Sequence, residues 1–457
     1  MAGSNNVSVD MLLVSYPAQG HINPLFQFGK RLASHDGVRC TLAVARSALG
    51  SSLPAAQAPP GPGSVPVVAI SDGCDLGGYD EVGDVHEYLA RLESAGSRTL
   101  DELLGSESSR GRPVRVVVYD AFLLCGCPAW RGSTARRPRV ERQAEAPVDK
   151  VLADLPGLPK GLQLEPPDCS SFLTQQHDDS SSTSTYLDLL LQQCQGLEVA
   201  DHVLINFFYE LQTEEAEYMA PRWAARTVGP TLPSAYLDNR MPDDSSYSFS
   251  LHAPMATECK AWLANRSARS VVYVSFGSIA APGPDQLAEM AQGLYNSGKA
   301  FLWVVRGSET SKLPESFISK MKESEERGLI VAWSSQLEVL AHPAVGCFVT
   351  HCGWNSTMEG LGIGVPMVAM PQWSDQLINA KYIEDVWRVG VRARPDVEGV
   401  VSKDEVERCV RQVMDGENSK EYMENAINWK EKTKRAMSEG GSSDRNIIEF
   451  LGKFGWN

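Results

Sequence analysis

Short apolar runs alternate with polar, glycine-rich and proline-rich stretches along the whole chain. In the first half, runs rich in β-branched residues predict buried strands at about 9–16, 39–45, 114–119 and 202–207. The first run leads into Gly20, and Asn23 and Pro24 that follow are typical of a helix N-cap and a first helical position. We therefore predict a helix over about 24–34. A strand, a glycine turn and a helix in this order begin an α/β unit.

The second half repeats the alternation more regularly. Strands are predicted at 271–275, 300–306, 328–332, 346–350 and 366–370. Helices are predicted at about 187–198 in the first half, and at 284–296, 336–341, 356–363, 375–386, 402–415 and twice within 419–453 in the second. Strands that alternate with helices predict an α/β protein with doubly wound parallel sheets.

A stretch rich in Pro, Ser, Asp and Tyr, without an apolar period, separates the two halves. We predict an N-terminal domain over 1–235, a linker over 236–255 and a C-terminal domain over 256–457. The length of 457 residues agrees with two domains, because single hydrophobic cores stop growing near about 250–300 residues.

Composition and charge exclude several classes of protein. The net charge of −15 disfavours nucleic acid and anionic membranes as partners, and an anionic ligand would need a local positive potential. The N-terminus has neither a basic region nor an apolar run long enough for a signal peptide or a membrane span, so we expect a cytoplasmic protein. Ten cysteines without metal-ligand spacing predict neither a zinc site nor a disulfide framework.

A turn near position 351 carries the clearest chemistry. His351 to Ser356 join a predicted strand to a predicted helix, and such a turn offers an anion free backbone N–H groups and the positive end of the helix. The imidazole of His351 adds a donor, Gly353 allows close approach of the backbone, and Asn355 and Ser356 add neutral donors. This turn is suited to binding a diphosphate without a metal ion.

The pattern alone leaves alternatives open. Ser356 and Glu359 have the spacing of a capping box, so Glu359 is as readily a helix cap as a ligand. Trp333 and Trp354 are equally compatible with ordinary aromatic residues of a hydrophobic core. No GxGxxG motif follows a predicted strand, which weighs against an NAD-linked oxidoreductase.

The 44-residue window from Trp333 to Gln376 closely resembles the signature box of the plant family 1 UDP-glycosyltransferases. The stretches 20–24 and 274–278 extend the resemblance over most of the chain. It implies the GT-B fold, in which two Rossmann-like domains with parallel sheets face each other, with the last helix packing on the N-terminal domain. It also implies a monomer that transfers glucose from UDP-glucose to a small lipophilic acceptor, without a metal or other cofactor.

The resemblance also implies roles for individual residues. The uridine would contact Ala332, Trp333, Gln336 and Glu359. The diphosphate would be bound by Ser278, His351, Gly353, Asn355 and Ser356. The sugar hydroxyls would be held by Trp354, Asp375 and Gln376, and a glutamine at the last position favours glucose.

Two residues of the N-terminal half correspond to the catalytic pair of the family. His21 would be the base and Asp120 its orienting partner. An acceptor hydroxyl must lose its proton as it attacks the anomeric carbon, and an imidazole titrates in the right range for this. The implied outcome is inversion, in which UDP-α-glucose gives a β-glucoside.

Residues 121–147 depart from the family. They are rich in Arg, Ala, Gly, Pro and Cys. GC-rich codons give these residues when they are translated out of frame, so we hypothesise a short frame error. A transcript that encodes this peptide in an intact frame would exclude that hypothesis. We predict an irregular, mobile segment and a missing strand in the N-terminal sheet. A UDP-sugar-binding protein with an impaired acceptor domain therefore stays open as an alternative to an active transferase.

Overall fold

The structure is a computed structural model that describes residues 8–49, 63–123, 155–174, 182–198, 200–247, 256–324 and 326–456. Its strands are Val9–Val14 (β1), Val38–Ala45 (β2), Val67–Ile70 (β3), Val116–Tyr119 (β4), Val203–Ile205 (β5), Ala225–Thr227 (β6), Val271–Ser275 (β7), Ala300–Val304 (β8), Gly328–Val331 (β9), Val345–Thr350 (β10), Met367–Ala369 (β11) and Gly390–Arg392 (β12).

The helices lie between these strands and after the last of them. They are Gln19–Ala33 (α1), Arg46–Leu49 (α2), Val85–Ser109 (α3), Ser171–Thr174 (α4), Ser182–Leu197 (α5), Thr213–Trp223 (α6), Ala256–Ala264 (α7), Pro284–Asn296 (α8), Glu315–Glu323 (α9), Gln336–Leu340 (α10), Trp354–Ile363 (α11), Gln376–Lys381 (α12), Lys403–Met414 (α13), Ser419–Met437 (α14) and Ser442–Gly452 (α15). None of the described helices is both long enough and apolar enough to cross a membrane.

Each half of the chain contains a parallel sheet. The N-terminal sheet has the order β3-β2-β1-β4, and the C-terminal sheet has the order β12-β11-β10-β7-β8-β9. Every residue of β7 and β10 is buried, as expected of a parallel sheet covered by helices on both faces. The α/β prediction is therefore confirmed.

The order of strands creates a topological switch point in each sheet. In the N-terminal sheet the chain order reverses between β1 and its neighbour β4, which pair in parallel with Leu13 opposite Val118. In the C-terminal sheet the same reversal lies between β7 and β10. Ligands of open α/β sheets bind beyond the carboxyl ends of the strands at such points, so these two places are where a site is expected.

Within the described residues, β4 and β5 belong to different sheets, because β5 pairs with β6 alone. The predicted loss of a strand from the N-terminal sheet falls on 124–147, outside the described residues, and stays a prediction. Residues 121–123 form a short 3-10 turn after β4, and the rest of that segment, with its predicted mobility, lies outside the described residues.

The start of α1 differs from the prediction. The helix begins at Gln19 with Ala18 as its N-cap, so Asn23 is not the cap and Pro24 lies inside the helix. The reason is that the amides of His21 and Ile22 both donate to the carbonyl of Ala18, at 2.9 Å, and close the first turn before Asn23 is reached. His21 consequently lies on a helix and not in the loop that precedes one.

Contacts between the halves are numerous and partly ionic. The guanidinium of Arg392 lies 2.6 Å from the carboxylate of Asp168, and both side chains are buried. In α15, the hydroxyl of Ser443 donates to the carbonyl of Gly229 at 2.6 Å, so the last helix contacts the N-terminal half. These contacts hold the carboxyl ends of the two sheets across a common cleft.

Candidate active site

The switch point of the N-terminal sheet brings His21 and Asp120 together. His21 follows β1 and Asp120 follows β4, and Nδ1 of the imidazole lies 2.7 Å from Oδ2 of the carboxylate. The other oxygen of Asp120 accepts the backbone N–H of Phe122 at 2.9 Å, which fixes the carboxylate. Because an ionised carboxylate only accepts, Nδ1 donates and Nε2 is left to accept a proton.

The rings beside His21 limit its movement. The centroid of Tyr16 lies 5.1 Å from that of the imidazole, and the edge-on ring of Phe122 lies at 4.8 Å. The side chain of His21 is nevertheless 26% exposed toward the cleft. A base that is oriented from behind and open in front is the arrangement that proton removal from a bound hydroxyl requires.

The switch point of the C-terminal sheet holds His351. Its ring lies between Gly277, after β7, and Gly353, before α11; a Cβ at either glycine would approach the ring within 2.7 and 2.5 Å, respectively. Burial lowers the pKa of His351 to about 4, although the carbonyl of Ser275 opposes this shift. At neutral pH the imidazole is therefore an uncharged hydrogen-bonding group.

Gly277→Ala is expected to displace His351 and weaken UDP binding by about tenfold, since Gly277 has a φ of 69° and no room for a Cβ. Calorimetric titration with UDP measures the effect. Gly298→Ala is the matched control, because Gly298 has a φ of 77° but nothing within 4 Å of an added Cβ. Equal losses in both variants would mean that backbone strain alone is responsible, and would contradict a role for His351.

Positive potential at the cleft comes from two helix N-termini. The helices α1 and α11 lie wholly within the described residues, and neither carries an acidic side chain in its first turn. The side-chain amide of Asn355, in the first turn of α11, donates to the carbonyl of Gly20 in α1 at 2.6 Å. The two positive helix ends therefore meet at one place, which favours a bound anion in an otherwise acidic protein.

Glu359 is the centre of a buried hydrogen-bond network. Its carboxylate accepts the hydroxyl of Tyr247 at 2.8 Å and the amide of Gln336 at 2.7 Å, while Gln336 also donates to Ser356. Burial raises the pKa of Glu359 to about 7, against the opposing effect of these hydrogen bonds. A carboxylate held at this depth is suited to accepting hydroxyl groups from a ligand.

The capping-box alternative for Ser356 and Glu359 is wrong. The helix α11 begins at Trp354 with Gly353 as its N-cap, three residues earlier than a box at Ser356 requires, and no side chain caps it. The turn bends early because Cys352 adopts a φ of 66°. Glu359 is therefore inside the helix, where its carboxylate is directed to Tyr247 and Gln336.

The two tryptophans of the window have different environments. Trp333 is half-buried and lines the cleft next to exposed Ala332, so it is not a core residue. Trp354 donates its indole N–H to the carbonyl of Asn206 at 2.8 Å and packs edge-on against Phe207. The predicted contact of Trp354 with a sugar would thus use its ring or its backbone.

The predicted sugar-binding residues lie at the start of α12. Asp375 accepts the side-chain amide of Asn379 at 2.8 Å, and the same amide donates to the carbonyl of Cys352 at 2.9 Å. The carbonyl oxygen of the Gln376 side chain accepts the backbone N–H of Gln372 at 2.9 Å, which orients its amide nitrogen. The second bond of Asn379 ties Asp375 to the turn that contains His351.

One cleft of about 1340 Å³ connects these groups. Every residue proposed for the site from the sequence lines it except Ala332, which is adjacent to it: His21, Asp120, Ser278, Trp333, Gln336, His351, Gly353, Trp354, Asn355, Ser356, Glu359, Asp375 and Gln376. Apolar side chains, Phe122, Phe172, Leu190 and Leu197 among them, line the part beyond His21.

Comparisons with known proteins agree with this geometry. Residues 207–431 match the profile of the family described as UDP-glucoronosyl and UDP-glucosyl transferase. The chain is 46% identical over 465 residues to UDP-glucosyltransferase UGT13248 of Hordeum vulgare subsp. vulgare, covering 97% of this chain and 94% of that protein. It is 43% identical over 469 residues to UDP-glycosyltransferase 79 of Oryza sativa subsp. japonica, covering 97% and 96%. The chain is a UDP-glycosyltransferase.

The crystal structure of Os79 from O. sativa in complex with UDP superposes on this glycosyltransferase with a TM-score of 0.84 at 42% identity, covering 97% of this chain and 100% of that one. The fold is therefore GT-B, as the resemblance implied. The alternative of an NAD-linked oxidoreductase is excluded by the family.

Three residues that contact the site of this UDP-glycosyltransferase were missed in the sequence. Tyr247 lies in the predicted linker, where no periodicity marks it. Asn379 lies three residues beyond the signature window, one helical turn after Asp375, and that spacing is a signal that was available. Gly277 follows a predicted strand, which is the position where a parallel sheet places ligand-binding turns.

Proposed function

We propose that this glycosyltransferase transfers glucose from UDP-glucose, with inversion, to a hydroxyl or carboxyl group of a small lipophilic acceptor. The observation that carries the proposal is the His21–Asp120 pair, which lies across the cleft from the turn at His351. A single chain supplies both sides of this cleft, which supports a monomer as the active form.

In the proposed reaction, Nε2 of His21 takes the proton of the acceptor hydroxyl. The acceptor oxygen forms its bond to the anomeric carbon while the bond from that carbon to the β-phosphate oxygen breaks on the opposite face. Asp120 stabilises the imidazolium that results. A carboxyl acceptor would already be ionised and would need His21 less.

The departing UDP carries the negative charge that develops. The first-turn amides of α11, with Ser356 and Asn355 at its start, would stabilise this charge, because they lie at the positive end of the helix. Such preorganised donors stabilise the leaving group without reorganising, and His351 and Ser278 add neutral donors beside them.

The uridine and the sugar would be held at the two ends of this turn. Trp333 offers a half-buried face to the uracil, and Glu359 with Gln336 offers acceptors and donors to the ribose. Asp375 and Gln376 are held at the start of α12, where hydroxyl groups of glucose would meet a carboxylate and an amide.

The apolar part of the cleft supports an acceptor with a rigid hydrophobic body. Phe122, Leu190 and Leu197 line it beyond His21. Relatives include a flavonol 7-O-beta-glucosyltransferase at 39% identity, and Os79 has been crystallised with a trichothecene. We therefore propose phenolic or terpenoid acceptors, plant hormones and toxins among them.

Incubation with UDP-glucose and a panel of flavonols, trichothecenes and phenolic acids tests the proposal. Mass spectrometry is expected to show the addition of one hexose to at least one class, and proton NMR is expected to show a β linkage. UDP-galactose is the matched control donor and is expected to react more slowly. Calorimetric binding of UDP without transfer to any acceptor would favour the alternative, a UDP-sugar-binding protein without transferase activity.

A further inference from the structure

A proline lies inside the helix that carries His21. In an α-helix, the N–H of residue 24 would donate to the carbonyl of Gly20, four positions earlier. Pro24 has no N–H, so the carbonyl of Gly20 lacks this helical partner. Residue 24 is the sixth residue of α1 and lies beyond the first turn. Only within the first turn does a missing N–H cost no helical hydrogen bond.

The proline does not end the helix. The helix α1 continues to Ala33, and Phe28 and Leu32 of the later turns are buried in the core of the N-terminal half. A proline in a helix interior costs about 3 kcal/mol relative to alanine. The helix α1 tolerates this cost and continues beyond Pro24.

The carbonyl of Gly20 is occupied by the other half of the protein. The side-chain amide of Asn355 donates to it at 2.6 Å. Gly20 precedes the proposed base, His21, and Asn355 lies in the turn proposed to bind the diphosphate. This hydrogen bond therefore joins the two groups whose separation the reaction depends on.

We propose that Pro24 is a positioning residue, which leaves the carbonyl of Gly20 open to Asn355 and so sets the position of His21 relative to the donor sugar. The inference rests on the proposed function, because it assigns a partner to the same site. Asn355 has a second N–H, which is available to the diphosphate, so one amide would bind the donor and hold the base at once.

Pro24→Ala tests this directly, because it restores the N–H and lets the helix bond compete with Asn355 for the carbonyl. We expect kcat to fall by about tenfold or more, since small displacements of catalytic groups have large effects on rate. We expect UDP affinity to stay within about twofold, and the midpoint of thermal unfolding to rise, because alanine favours the helix. A variant that is more stable and less active distinguishes positioning from a structural role.

Pro221→Ala is the matched control. Pro221 also lies inside a helix, α6, but it is exposed and does not line the cleft. Its replacement is expected to leave kcat and UDP affinity unchanged.

A double variant shows whether Pro24 acts through Asn355. Asn355→Ala removes the cross-cleft bond together with any contact to the diphosphate, so Pro24→Ala added to it is expected to cause no further loss of kcat. Losses that multiply would overturn the inference, as would a Pro24→Ala variant with the kcat of the parent. Failure of the proposed function is seen separately, as a parent protein that transfers no sugar.

Discussion

His21→Ala is expected to lower the transfer rate to a hydroxyl acceptor by about 10²- to 10⁴-fold while leaving UDP affinity within about twofold. The imidazole is held by Asp120 at 2.7 Å and is the base that the proposed reaction uses, whereas UDP would bind to the other half of the protein. Initial rates at saturating donor measure the first effect, and calorimetric titration with UDP measures the second.

Two further variants sharpen this test. Asp120→Asn is expected to cause a similar loss, because an asparagine amide can donate to Nδ1 and thereby leave Nε2 protonated and unable to accept. His86→Ala is the control, since His86 lies exposed on α3. A His21→Ala variant that keeps the rate of the parent would contradict the assignment of the base, and equal loss in the His86 variant would point to an artefact of the preparation.

The C-terminal half could be predicted well from the sequence. Its strands are short apolar runs bounded by turns, and all residues of β7 and β10 are buried. The prediction for 271–275 has the same bounds as β7, and that for 346–350 differs from β10 by one residue. The strands of a buried parallel sheet are continuous apolar runs, because both faces of the sheet must be hydrophobic, and such runs are readily predicted from the sequence.

The N-terminal half was less predictable for identifiable reasons. The 25-residue helix α3 was missed because it buries few apolar side chains, Val85, Tyr88, Leu92 and Leu100, on an otherwise polar surface. The predicted start of helix α1 lies too late in the chain, because Asn23 and Pro24 have the local preferences of a helix start. In the structure, the amides of His21 and Ile22 close the first turn on the carbonyl of Ala18 before Asn23 is reached.

The same distinction holds for the site. The turn at His351 could be placed from a strand followed by glycine and a helix, since the carboxyl end of a parallel strand has a known use. The partners of Glu359 could not be placed, because Tyr247 is 112 residues away in the chain and no local pattern joins them. A capping box is a local pattern, and it gave the wrong alternative here because Cys352 turns the backbone earlier.

Replacement of Glu359 by glutamine is expected to stabilise the unliganded protein at high pH. Burial raises the pKa of Glu359 from 4.5 to about 7. Because the pKa is higher in the folded state than in the unfolded state, the contribution of Glu359 to stability is fully present below pH 4.5 and is lost as the pH rises through about 7. By pH 8 the loss is about 3 kcal/mol, and Glu359→Gln should not suffer it. Chemical unfolding of both proteins between pH 5 and pH 8 measures this difference.

The same substitution is expected to weaken UDP binding by about 10- to 100-fold at pH 8, because an ionised carboxylate accepts hydrogen bonds from ribose hydroxyls more strongly than an amide does.

In the parent, UDP affinity should fall as the pH drops below about 7 and Glu359 takes up a proton, whereas the variant should lack this component. Ionisation of UDP itself affects both proteins alike and cancels in the comparison. Glu424→Gln is the control: this carboxylate is exposed on helix α14 and does not line the cleft, so its replacement should change neither quantity. A Glu359→Gln variant that is less stable than the parent at pH 8, or that binds UDP equally well, would show that the buried carboxylate serves the structure and not the nucleotide. Gained stability with lost affinity would instead show that the protein keeps an unfavourable buried charge for its ligand.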